Sequence, residues 1–223
     1  MGSVVLLPPR GRYLAQEVGR LAGVSGGTIG QWANYGYIRA SQSESGDYPK
    51  VYSFQDTAEA ILVHELLEKG VPLKVLRPVI EGLRETRGDW PLQHSELEAV
   101  TAEDVPIASL LVNEGDVRYE LGPHGWQQVE HTTVNPERVV ADLRRGGWAV
   151  RDLPDLKHVN VDPDYLSGRP TIRGRRVPVS LVAELAAEDD GPEILREDYD
   201  LTAEQIDDAV RWWKASSAYE RAA

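Results

Sequence analysis

Apolar residues recur at Leu14, Val18, Leu21 and Ala22, the i, i+4, i+7, i+8 spacing that lays one stripe along a short helix, and the stripe stops at Gly23. Gly23 and Val24 read as a tight turn, after which Ser25 is placed to cap a second helix. In that helix Ile29, Trp32 and Ala33 face the first, while Thr28, Gln31 and Tyr35 share the opposite side and Gly36 supplies the stop. Two short helices on a tight turn, the second presenting small polar groups, have the geometry of a recognition helix.

Alternation then takes over. Residues 37–39 and 50–52 read as two strands around the polar loop 42–47, a two-stranded wing with Arg39 and Lys50 at its stems. Ser53, with Asp56 at N3, caps a helix carrying Phe54, Ala58, Ile61, Leu62 and Leu66 on one side before Gly70. Another begins near Pro72, with Leu73, Leu76, Ile80 and Leu83 as its stripe and Pro78 as an expected kink.

The middle is less regular. Residues 90–104 are polar and poorly periodic; 106–112, 116–121 and 126–129 read as short strands separated by turns at 113–115 and 122–125, predicting a small antiparallel sheet. Asn135-Pro136 opens a helix with Val139, Val140 and Leu143 inward, Gly146-Gly147 ends it, and 148–153 reads as a strand.

Residues 159–161 read as a strand end, and 171–172 with 177–179 as a short hairpin through Arg173-Gly174-Arg175. Ser180 is placed to cap a helix with Leu181, Val182 and Leu185 inward, Pro192 opens a second containing Ile194 and Leu195, and Thr202 with Gln205 forms a capping box for the last. Its expected stripe is Ile206, Ala209, Val210, Trp213 and Ser217, which turns Trp212 outward as a contact surface or against the middle region. The expected class is α+β, mainly helical, in three parts: a winged helix-turn-helix over residues 11–88, a β-rich connection over 89–155, and a three-helix module with a short hairpin over 156–223.

Composition narrows the chemistry. With no cysteine among 223 residues there is no disulfide framework or thiolate metal site, and the five histidines are scattered without an i,i+4 pair, so no cofactor is expected. No apolar run approaches the length of a bilayer span and no signal peptide is evident, so a cytoplasmic location and no membrane partner are expected. The net charge of -12 opposes nucleic-acid binding. Its distribution softens that objection: residues 10–54 carry five bases and three acids, while residues 184–208 hold eleven acids against the single base Arg196. A basic partner for the second region follows from electrostatic complementarity.

Residues 13–87, with their Val-Ser turn, Thr28-Ile29-x-x-Trp32 helix, wing, Tyr52-Ser53-x-x-Asp56 start and Gly70-Val71-Pro72-Leu73 helix, resemble the DNA-binding domain of the MerR family. That family usually has an arginine where Gly30 stands. The expected DNA contacts are Arg12, Ser25, Thr28, Gln31, Tyr35, Arg39, Lys50 and Tyr52, in a homodimer reading symmetric half-sites. Residues 159–217, with Gly168-Arg169-Pro170-x-Ile172-Arg173-Gly174-x-Arg176-x-Pro178-Val179 and the Asp200-Leu201-Thr202 helix start, resemble a small trihelical family of VapB-type antitoxins. The combination is similar to mycobacterial antitoxins paired with PIN-like ribonucleases. The resemblance implies a repressor of its own operon that blocks a toxin, with no enzymatic activity of its own. The motif does not carry the toxin contacts; those weighed are Arg169, Arg173, Arg175, Arg176, Glu204, Asp208 and Trp212. For the arginines, ion pairs within the chain are the alternative.

Two other classes compete. A MerR-like regulator would bind a small organic effector in the middle or C-terminal region. A metal-dependent nuclease would need Asp152, Asp155, Asp162 and Asp164, whose spacing is that of a loop without basic or histidine helpers.

Overall fold

The computed structural model describes residues 8–44, 48–102, 105–114, 117–121 and 130–221, with the backbone alone over 96–133. The fold is α+β and mainly helical, with small antiparallel sheets. β1 (Tyr13–Leu14) runs straight into α1 (Ala15–Ala22), where Glu17 accepts from the Leu14 N–H at 2.8 Å and so occupies an orphan donor of the first turn. Ser25 caps α2 (Gly26–Asn34) by accepting from the Thr28 N–H at 3.1 Å.

β2 (Val51–Tyr52) precedes α3 (Phe54–Glu68), which Ser53 and Asp56 start with the expected capping box. Only one stripe of α3 was expected inside, yet Thr57, Glu59, Ala60, Val63 and Glu65 are buried as well. It is the central helix, packed by α1 and by later elements. α4 (Leu73–Arg87) continues through Pro78.

The predicted wing is corrected. Val51 and Tyr52 pair with Leu14 and Tyr13, not with residues 37–39. Tyr37 and Ile38 are buried in succession, which a half-exposed strand cannot do. The other edge of Val51 is taken by the loop itself: the Gln42 N–H donates to the Val51 carbonyl at 3.2 Å and the Val51 N–H donates to Ser43 Oγ at 2.6 Å.

The middle region forms a four-stranded antiparallel sheet in the order β5-β4-β3-β6 from β3 (Glu96–Ala102), β4 (Val105–Glu114), β5 (Val117–Leu121) and β6 (Glu130–Val134). β3 falls in a segment that reads as aperiodic; its pairing is long-range, with Leu97 opposite both Val112 and Val134. The strand expected at 126–129 and the turn at 122–125 lie outside the described residues.

α5 (Pro136–Arg145) is capped by Asn135 and buries Val139 and Leu143. The strand predicted at 148–153 is instead a 3-10 turn over Gly147–Arg151. Tertiary packing overrides the alternation there: a Cβ on Gly147 would lie 2.3 Å from the Leu21 carbonyl oxygen, so only glycine lets this turn approach α1. Trp148 then stacks on His64 at 3.9 Å, and the Arg151 guanidinium lies 3.7 Å from the Trp148 ring centre. Arg151 and Arg138 both reach the buried carboxylate of Glu65, at 2.7 and 3.1 Å.

β7 (Val159–Asn160) pairs with β8 (Thr171–Ile172), and on the other side of β8 the expected hairpin with 177–179 is formed: Thr171 bridges Pro178, the Ile172 N–H donates to the Val177 carbonyl at 2.9 Å and the Val179 N–H donates to the Pro170 carbonyl at 2.9 Å. α6 (Val179–Leu185) starts one residue before the expected Ser180 cap, α7 (Gly191–Glu197) begins around Pro192, and α8 (Ala203–Ala218) has the Thr202–Gln205 capping box. One continuous apolar core runs from Tyr13 through α3 and α5 to Trp212.

α1 is the joint between the two ends of the chain. Arg20 donates to Glu220 at 2.5 Å and its guanidinium lies 3.9 Å from the Trp213 ring centre, Arg10 pairs with Asp164 at 2.8 Å, and the Arg12 N–H donates to the Ser167 carbonyl at 2.8 Å. No helix among the described residues is long and apolar enough to cross a membrane.

Candidate nucleic-acid interface and acidic face

α2 buries Ile29 and Trp32 and leaves Gln31, Asn34 and Tyr35 exposed, with Thr28 half-buried beside them. Beside this polar face lies Lys50, whose Nζ donates to Asn34 Oδ1 at 2.6 Å and ties the loop before β2 to the end of α2. Arg39 is half-exposed and ion-paired with Asp89. Between α2, the loop and α4 an open cleft of about 610 Å³ is lined by Arg39, Lys50, Arg84 and Tyr48. The Arg84 Nε and one terminal nitrogen are buried there without a hydrogen-bond acceptor.

Of the residues the sequence nominated for this surface, the structure gathers Thr28, Gln31, Tyr35 and Lys50, with Arg39 on the adjoining cleft wall. Arg12 is exposed but joins the chain to residue 167 through its backbone. Ser25 is buried, its hydroxyl spent on the helix cap and on Thr28 Oγ1 at 2.9 Å. Tyr52 is fully buried against the core, its hydroxyl without a partner and its pKa pushed up to about 12 by burial. Tyr52 therefore leaves the set of surface contacts. Its alternation with Lys50 suggested a wing stem, but pairing with Tyr13 turns it inward.

Beneath this surface Asp56 organises the loop. Its Oδ2 accepts from the Ser41 N–H at 2.8 Å, Ser41 Oγ at 2.6 Å and the Ser53 N–H at 2.8 Å, while Oδ1 accepts from Trp90 Nε1 at 2.8 Å. Only the capping part of that role is written in the sequence; Ser41 and Trp90 are 15 and 34 residues away.

At the other end, ten of the eleven acids between residues 184 and 208 are exposed, Asp208 being the exception. Asp200 and Asp207 pair with Arg175 at 2.7 Å and Arg211 at 3.8 Å, and the other eight make no ion pair among the described residues. Glu204 belongs to this exposed set. The face spans the end of α6, all of α7 and the first turns of α8.

Two residues nominated for partner contact are corrected. Asp208 is 6% exposed because its Oδ2 accepts from the Lys157 and His158 N–H groups, both at 2.9 Å. Trp212 is 1% exposed and packs against α5 and the turn after it. The inward stripe of α8 is thus Asp208, Ala209, Trp212 and Ser216, rotated from the expected one so that Val210 is exposed and Trp213 half-buried. An acidic residue on an inward stripe is hidden from a hydrophobicity pattern.

The basic cluster is engaged within the chain. Arg169 lies 3.5 Å from Glu17, Arg173 donates to the Lys157 carbonyl at 2.8 Å, Arg175 holds Asp200, and the Arg176 guanidinium is 4.8 Å from the Tyr165 ring centre. The carboxylates weighed for a nuclease are dispersed: Asp155 pairs with Arg211, Asp164 with Arg10, and Asp152 accepts from the Tyr219 hydroxyl at 3.3 Å.

Residues 159–212 match the family described as a protein of unknown function, DUF433. Over 233 aligned residues the chain is 27% identical to the uncharacterized protein Rv2308 of Mycobacterium tuberculosis (strain ATCC 25618 / H37Rv), covering 95% of this chain and 94% of that one. Among solved structures it is similar to the X-ray crystal structure of Rv2018 from Mycobacterium tuberculosis, with a TM-score of 0.53 and 20% identity over 92% of this chain and 98% of that chain. The second likeness concerns the fold alone.

Proposed function

We propose that the chain is the antitoxin of a type II toxin-antitoxin pair, neutralising a PIN-like ribonuclease and repressing its own operon as a cytoplasmic homodimer. In this reading α1 and α2 act as a helix-turn-helix with α2 in the major groove, and Lys50 beside the end of α2 faces the DNA backbone. The observation that carries the partner half is the run of eight exposed, unpaired carboxylates over residues 184–204. A folded chain that leaves so many like charges together tolerates repulsion that a cationic surface would relieve, and an RNA-cleaving enzyme presents such a surface. The DNA half is supported by the exposed Gln31 and Tyr35 beside Lys50, on a segment whose net charge opposes that of the rest.

The test is co-expression with the protein encoded next to this chain. That protein alone arrests growth and, with this chain, growth returns and the two co-purify; the pair also retards the upstream DNA in a salt-sensitive manner. Growth arrest that this chain does not relieve, with no association between the two, overturns the proposal.

A further inference from the structure

Where α1 meets the C-terminal module there is a cleft of about 240 Å³ that none of the contacts above fills. α1 contributes Gln16, Glu17 and Arg20; the segment before α6 contributes Arg169, Pro170 and Pro178, with Ser180 in the first turn of α6; and Trp212 and Trp213 form the α8 side. Two proline rings and two indoles make flat apolar walls. An apolar cavity of about 150 Å³ takes a benzene molecule, so this one has room for a ring bearing a small substituent.

Its polar groups are unbalanced in one direction. Arg20 uses Nε for Glu220, and among the described residues its two terminal nitrogens have no acceptor. Arg169 approaches Glu17 only at 3.5 Å, beyond a normal hydrogen bond, and is 64% exposed. Glu17 is already committed to the Leu14 N–H through its other oxygen. The Gln16 amide and the Ser180 hydroxyl have no hydrogen-bond partner among the described residues. Each guanidinium thus has one carboxylate neighbour, Glu220 for Arg20 and Glu17 Oε1 for Arg169, and the spare donors are the terminal nitrogens of Arg20 and the rest of the Arg169 fork, which offer the planar pairing that a carboxylate accepts. We infer that this cleft binds a small aromatic carboxylate, its ring against Pro170 and Pro178 beside the Arg20-covered Trp213, and its carboxylate on Arg169 and the terminal nitrogens of Arg20. Such a ligand bridges α1 and the C-terminal module and so stabilises the joint that sets where the acidic face lies relative to α2.

The experiment uses the full chain, isotope-labelled, with benzoate as the probe and benzamidine and benzyl alcohol as its cationic and neutral counterparts. Benzoate is expected to shift the Trp213 indole N–H and the Arg169 Nε–H saturably below about 10 mM, the weak limit for a ligand of its size, and to raise the melting temperature with concentration. Arg169→Gln, a change on an exposed side chain, is expected to weaken benzoate by about tenfold or more, the loss of one charge-assisted contact. Ser180→Phe, which plugs the cleft, is expected to abolish the Trp213 shift while the remaining amide spectrum is kept. No shift of Trp213 up to that concentration, equal binding of benzamidine, or unaltered benzoate binding by a folded Ser180→Phe chain overturns the inference. None of these readouts depends on DNA or on a protein partner.

Discussion

The indole Nε1 of Trp212 donates to the carbonyl oxygen of Gly146 at 2.7 Å, joining α8 to the end of α5 across 66 residues. A Cβ on Gly146 would fall 2.7 Å from that nitrogen, and Gly146 has φ of +130°, a conformation closed to other residues. Trp212→Phe keeps the ring but orphans the carbonyl, and is expected to cost about 1–3 kcal/mol. Gly146→Ala combines backbone strain with displacement of the indole and is expected to cost at least as much. Urea unfolding of the two variants checks both.

Glu59 gives the chain a pH-dependent stability. It is 1% exposed, and burial, the largest cause, raises its carboxyl pKa to about 7 despite hydrogen bonds from the Leu92 N–H and the Gln93 amide; the ordinary value is 4.5. Between those two pH values the folded chain keeps a proton that the unfolded chain has released. Stability therefore falls as pH rises from about 4.5 to about 7 and then levels off. The contribution is on the order of 3 kcal/mol at most, and Glu59→Gln is expected to flatten the slope across that window in unfolding measured at constant ionic strength.

Gly30 lies within α2 with nothing within 4 Å of where a Cβ would stand. Gly30→Arg is therefore expected to fit, to stabilise the helix by about 0.5–1 kcal/mol, and to supply the cation that this position usually carries in the domains it resembles. Affinity for the upstream DNA should rise several-fold and the salt slope steepen by about one. A stabilised variant with unchanged DNA affinity would show that this face of α2 does not meet DNA.

Under the proposed DNA binding, Gln31 and Lys50 would separate base reading from phosphate attraction. Gln31→Ala is expected to weaken binding to the cognate sequence by about 1–3 kcal/mol while leaving random DNA unaffected. Lys50→Ala is expected to weaken both alike and to shallow the salt slope by about one. Fluorescence anisotropy at two or more salt concentrations distinguishes the patterns.

Helix starts were legible because caps are local: Ser25, Ser53, Asn135 and Thr202 each bind a backbone N–H three residues away in their own sequence. What misled the pattern was non-local. Val51 and Tyr52 alternate correctly but find their partner at Tyr13 and Leu14, and residues 148–153 alternate yet wrap into a turn because Gly147 presses on Leu21. β3 could not be read because its partners flank it from β4 and β6, and alternation is weak where Glu96 and Glu98 share a strand with Ala99 and Ala102. For the surfaces, the polar face of α2 followed from periodicity alone, whereas the inward turn of Trp212 and Asp208 depended on carbonyl and N–H groups at Gly146, Lys157 and His158. An acid or an indole on a helix carries no mark of which backbone group it will satisfy.

The acidic face offers the most direct measurement. Glu188, Asp189, Asp190 and Glu193 are exposed and make no ion pair among the described residues, so the combined Glu188→Gln, Asp189→Asn, Asp190→Asn and Glu193→Gln chain is expected to fold with a melting temperature no lower than that of the parent. Co-expressed with the proposed toxin partner, it is expected to lose growth rescue and to bind at least about tenfold more weakly than the parent, with the difference shrinking as salt rises. Full rescue and undiminished co-purification by the neutralised chain would contradict the account.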